Sequence, residues 1–200
     1  MTEPQPHPDL DRRRSVVIAG HTGDVDRALT ALSDADPVMR ELALGALDRL
    51  GVLRPEQLSA LVSDPDRNVR RRVAELAAHH PEIDLMPLLN DGDPIVVEVA
   101  LWACGEHVTV TDAVLERIIA LTITDEDPLV REAGAAALGA IGDERGLDAI
   151  LTACTDKPAV RRRAVLALAP FEGDRVEAAM DAALSDRDWQ VRQAAEDLSR

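Results

Sequence analysis

One short pattern, an acidic residue, then Pro or a substitute, then an apolar residue followed by Arg, recurs along this chain and constrains its fold more than any other feature. Aligned on the apolar residue before the Arg position, the copies fall at Met39, Val69, Val96, Val130, Val160 and Val191. Successive spacings are 30, 27, 34, 30 and 31 residues. Periods of this length belong to stacked two-helix units, since heptads are far shorter and propeller blades longer. The acids Asp36, Asp66, Asp93, Asp127 and Asp188 stand where a side-chain oxygen can accept an unpaired helical N–H. Pro37, Pro94 and Pro128 follow at the first helical position, where the missing N–H costs nothing. Arg67 and Trp189 take that slot in the second and sixth copies, and the fifth has Lys157 before Pro158.

The pattern predicts a second helix in every unit, over 37–50, 67–79, 94–106, 128–141, 158–169 and 189–198. First helices are predicted over 24–32, 55–62, 83–89, 112–123, 144–153 and 175–184. In the first motif helix, Met39, Ala43, Ala46, Leu47 and Leu50 make one apolar stripe at helical spacing. HVTVTD at 107–112 reads as a longer loop. RRRSVVIAGHTGD at 12–24 parallels RRRAVLALAPFEGD at 161–174, which makes residues 9–24 a degenerate second helix capping the N-terminus. Residues 1–8, polar and Pro-containing, are expected to form a disordered tail. The expectation is an all-α, right-handed α-solenoid of about six two-helix repeats with an N-terminal half-repeat, forming a single domain over 9–200.

Composition supports that architecture. Hydrophobic residues make up 46% of the chain but aromatic residues only 2%, so the core must be Ala, Leu, Val and Ile. The net charge of −15 opposes a dedicated nucleic-acid binder, whose affinity comes largely from phosphate neutralisation. Trp102, Phe171 and Trp189 are the only aromatic residues, too few for a base-stacking platform. There is neither a secretory apolar region nor a run long enough to span a membrane, so a cytoplasmic location is expected. Cys104 and Cys154 form no CxxC pair and sit in apolar helical contexts, as packing thiols do.

The run ALGAIGDERGLDAILTAC at 137–154, with DEDPLVREA before it, resembles HEAT repeats of the phycobilin-lyase-like subclass found in bacterial adaptor proteins. The resemblance spans residues 9–200. Scaffolds, chromophore-lyase subunits, a di-iron deoxyhypusine hydroxylase and alkylpurine DNA glycosylases all share this class of fold. Likeness to the hydroxylase implies His-Glu pairs, but His79 and His80 are followed by Pro81, and Glu106-His107 occurs once in reverse order. Likeness to the glycosylases implies a basic, aromatic-rich groove, of which Trp102, Glu98 and Arg71 are a thin version. Nothing in the residues singles out a bilin.

The recurring Arg40, Arg70, Arg131, Arg161 and Arg192 read as a structural ladder that bonds acids or turn carbonyls of neighbouring units, because a catalytic group is not needed in every repeat. Val97 breaks the ladder in the third copy. Positions one, four and five residues after the Arg slot are expected to form the exposed face. They include Arg71, Glu98, Leu101, Trp102, Glu132 and Arg162, an apolar centre with charged edges. If second helices line a concave side, this surface is the candidate protein-binding site. Trp102 then has two readings: an interface anchor, or a packing residue that fills a gap left by small neighbours or is covered by the 107–112 loop. The Arg70–Arg72 and Arg161–Arg163 triplets either grip an anionic partner or are neutralised by neighbouring acids. The function expected is a non-catalytic scaffold or adaptor that binds a protein partner and requires no cofactor, catalytic residue or metal. The competing reading is a HEAT-like enzyme or enzyme subunit.

Overall fold

The computed structural model describes residues 8–199, which form thirteen α-helices and no strand. Apart from Pro8, which opens α1, the expected tail lies outside the described residues. The chain divides into two compact units, one ending at Asp84 and the other beginning at Leu85, where a single domain was expected over 9–200.

The first unit contains α1 (Pro8–Thr22), α2 (Val25–Ala31), α3 (Pro37–Arg49), α4 (Pro55–Ser59) and α5 (Arg67–Ala77). Here α1 packs on α2 and α3, α2 on α3, and α3 on α5, so each helix meets elements near it in sequence. Val16, Ala28, Ala31, Met39, Ala43, Ala46 and Leu47 form one buried cluster, joining the capping helix to the first full pair. The second unit contains α6 (Met86–Leu89), α7 (Pro94–Glu106), α8 (Asp112–Thr124), α9 (Pro128–Ile141), α10 (Leu147–Ala153), α11 (Pro158–Ala167), α12 (Asp174–Leu184) and α13 (Trp189–Leu198). Its motif helices pack in series, α7 on α9, α9 on α11 and α11 on α13. The architecture is an all-α solenoid of repeated helix pairs.

Local chemistry sets the helix starts. Asp36, Asp93 and Asp127 each accept a backbone N–H two residues ahead, at 3.0, 3.0 and 2.9 Å. Asp66 and Asp188 accept two N–H groups each. Lys157 supplies no side-chain cap, and Pro158 alone marks that start. All six aligned apolar residues, Met39 to Val191, are buried. The predicted bounds of α7, α9 and α13 coincide with those observed, and 107–110 is a connection ending at the cap Thr111.

First helices are less regular than the motif helices. The one expected over 83–89 is reduced to the single turn α6, because Pro87 is tolerated only in a helix's first turn and prevents extension upstream. The helix expected over 55–62 ends at Ser59 and continues as tight turns. Residues 144–153 begin with a 3₁₀ turn, Glu144–Gly146, before α10.

Helices α9 and α11 approach closely, and a Cβ added at Gly139 would lie 2.6 Å from the Cα of Ala167. At the end of α9, Gly142 adopts φ 68°, a left-handed C-cap that suits glycine. Gly139→Ala must push α9 and α11 apart. It is expected to cost about 1–3 kcal/mol by overpacking, read as a lower urea midpoint with unchanged m.

Candidate functional site

The recurring arginines form a clamp at the turns between units. The Arg161 guanidinium donates to both carboxylate oxygens of Asp186, at 2.9 and 2.8 Å, and to the Asp156 carbonyl at 2.7 Å. Arg131 does the same with Asp156, at 2.6 and 2.9 Å, and with the Asp125 carbonyl at 2.7 Å. In the first unit, Arg40 bridges the Asp64 carboxylate and the Asp34 carbonyl, while Arg12 of the capping helix donates to the Asp34 carboxylate. Arg70 and Arg192 donate to the carbonyls of Asp64 and Asp186. A typical turn is therefore held twice, its aspartate carboxylate by the preceding unit and its carbonyl by its own.

These pairs are largely removed from solvent. Side chains of Arg161 and Asp186 are only 7% and 15% exposed. Hydrogen bonds from Arg161 hold the Asp186 carboxyl below its usual value, and those from Arg131 do the same for Asp156. Val97 interrupts the series. The Asp125 carboxylate keeps the Asp127 N–H at 2.9 Å but pairs with no guanidinium, although its carbonyl is still held by Arg131, and an opening of about 550 Å³ lies beside Val97.

On another side of the same helices lies a groove of about 360 Å³. Helix α7 supplies Glu98, Trp102, Gly105 and Glu106. Helix α9 supplies Leu129, Glu132 and a row of alanines at 133, 136, 137 and 140, whose small side chains leave room beside the indole. Arg163 of α11 closes one end. Trp102 is 45% exposed, and no residue of the 107–112 loop lines the groove. The 107–112 loop thus does not cover Trp102 on the groove side.

The other expected site residues separate. Glu98 and Glu132 line the groove with Trp102. Arg162 stands 3.9 Å from Glu132 and borders a second depression, which also contains Leu166 and the exposed Trp189. Leu101, expected on the surface, is fully buried, as are its counterparts Ala74, Ala135 and Val165. Four residues after the Arg slot, a side chain lies almost directly over that slot and faces neighbouring helices instead of solvent. Arg71 belongs to the first unit, where it pairs with Glu41 at 3.3 Å and Glu75 at 3.7 Å. Spacing had not singled out Gly105, Glu106 or Arg163, although Glu106 repeats the Glu98–Trp102 interval.

The arginine triplets are engaged by acids and turn carbonyls. Arg72 pairs with Glu75 at 2.9 Å, while Arg162 and Arg163 both approach Glu132 at 3.9 Å. Burial raises the thiols of Cys104 and Cys154 to about 12 and about 11, so both remain protonated at neutral pH. Among the described residues, no group of three or more His, Cys, Asp or Glu side chains is placed to hold a metal ion. No described helix is long and apolar enough to cross a membrane.

Residues 83–169 match the HEAT repeats family. No curated protein matches the chain. Among solved structures, an engineered protein shares 18% identity at a TM-score of 0.65, covering 88% of this chain and 96% of that one. A second engineered protein, also 18% identical, has a TM-score of 0.58 with coverages of 86% and 94%. A designed armadillo repeat protein, 15% identical, also scores 0.58 and covers 86% of this chain and 97% of that one. The neighbours establish the fold class as a helical repeat solenoid.

The clamp makes two stability predictions. Asp186→Asn weakens a charge-assisted pair and leaves Arg161 buried without its counter-ion, with an expected cost of about 1–3 kcal/mol. Asp125→Asn, with no guanidinium to lose, should change stability by less than about 0.5 kcal/mol; urea unfolding of both variants checks the contrast. Because the Asp156 and Asp186 carboxyls are lowered in the folded state, their contribution is present above the unfolded carboxyl value near 3.8. It is lost as pH falls through the lower folded value. Urea midpoints should therefore drop below about pH 4, and less steeply in Asp186→Asn.

Proposed function

We propose that this chain is a non-catalytic interaction adaptor that binds a protein partner in the Trp102 groove. The observation carrying this reading is a half-exposed indole beside a row of alanines on an otherwise aromatic-poor surface. A large aromatic anchor with low conformational freedom, set in a pocket that a partner can desolvate, has the composition of an interface hot spot. The HEAT match supports an interaction role, because repeat stacks present extended binding surfaces. The motif DEDPLVREA and its neighbours further support the phycobilin-lyase-like, bacterial adaptor type, acting in the cytoplasm. If motif helices line the inner curve, the partner sits on the concave face.

The test is affinity capture from a lysate of the native cell with wild type and Trp102→Ala, after circular dichroism shows equal helicity. Being half exposed, Trp102 can be truncated without opening the core. A specific partner should be retained by wild type and bind the variant at least about thirtyfold more weakly, the effect of losing a hot-spot side chain. Equal retention by both proteins would move the site elsewhere.

A further inference from the structure

The charge around Trp102 differs from that at the clamps. Glu98, Trp102 and Glu106 recur every four residues along α7, placing them on one helical stripe, and all three line the groove. Neither glutamate makes a hydrogen bond or ion pair with any described residue. Glu132, across the groove, instead has Arg162 and Arg163 within 3.9 Å. The indole is thus flanked along its own helix by two carboxylates without counter-ions. The sequence around them extends this bias, since residues 85–116 contain six Asp or Glu and no Lys or Arg.

We infer that the groove receives a basic segment of a partner protein, with a Lys or Arg seated on Trp102 between Glu98 and Glu106 and an adjacent apolar residue on the α9 alanines. The inference rests on the groove being the docking surface and specifies its occupant. A cation over an indole is attracted by the ring's negative face, and each flanking carboxylate adds to that attraction. A purely apolar or acidic segment would bury or oppose Glu98 and Glu106 without compensation. Arg163, the one cation among the described residues of the groove lining, is already close to Glu132, so Glu98 and Glu106 keep the lining negative.

A display library of short random peptides is selected on protein carrying Trp189→Phe, which leaves Trp102 as the sole tryptophan and fluorescence reporter. Selected peptides that shift its emission should be rich in Lys or Arg beside an apolar residue. They should bind the Glu98→Gln/Glu106→Gln double variant about tenfold more weakly and lose affinity with added salt. Emission-shifting peptides that are neutral or acidic, or that bind the double variant unchanged, would overturn the basic-segment inference while leaving the groove as a docking site. If no selected peptide depends on Trp102, both the docking reading and this inference fall.

Discussion

The guanidinium clamp, which recurs at the turns on either side of the Val97 break, is the interaction on which the repeat architecture depends. Apolar burial alone would allow helix pairs of Ala, Leu and Val to slide, because their surfaces are similar from unit to unit. One arginine fixes both its own turn, through a carbonyl, and the next turn, through a two-oxygen pair with aspartate, as Arg131 and Arg161 do in succession. Bidentate geometry is directional in a way that apolar contact is not. It adds register to the packing supplied by buried residues such as Val130, Val160 and Val191.

The clamp also explains why most of the chain's arginines cannot be read as a partner-binding surface. Arg40, Arg131 and Arg161 are committed to turn aspartates, and Arg71, Arg72, Arg162 and Arg163 lie beside glutamates. What distinguishes one unit from another is found where the clamp imposes no residue. Along α7 and α9 those positions hold one indole, glutamates and small side chains, and the close approach at Gly105 and Ala140 shapes the groove.

Much of this organisation was legible because the same physical problem is solved several times. An N-cap acid and a buried valine repeat together, with proline at the first helical position of α7 and α9 and Trp189 in that slot of α13, so all three helices could be bounded to the residue. Pro87 carried a signal that the period alone could not, and the first helix containing it is shorter than the spacing suggested. The largest error in the expected site, Leu101, came from treating a motif helix as having one buried face. A motif helix packs against more than its own first helix, as α7 does against both α6 and α9. Its buried arc is therefore wide, and Val97, Leu101 and Cys104 are all inside it. Exposure survives at positions one and five after the Arg slot, which is why Glu98 and Trp102 remained correctly placed.

Function was less legible because it depends on departures from the repeat, and a departure gains meaning only from its surroundings. Val97 looks like a missing arginine in the sequence; in the fold it leaves the Asp125 carboxylate bonded to a backbone N–H with no guanidinium across from it. Glu98 and Glu106 look like ordinary solvated residues of an acidic chain. Their significance comes from sharing a stripe and a groove with Trp102 while the nearby Arg162 and Arg163 lie beside Glu132. In the free protein, water solvates both carboxylates and the half-exposed indole at little cost. A docking segment must replace that water, so any segment lacking a positive charge is penalised for desolvating two anions. The same repeat chemistry that commits the motif arginines to the turns thus leaves selectivity to carboxylates that it does not engage.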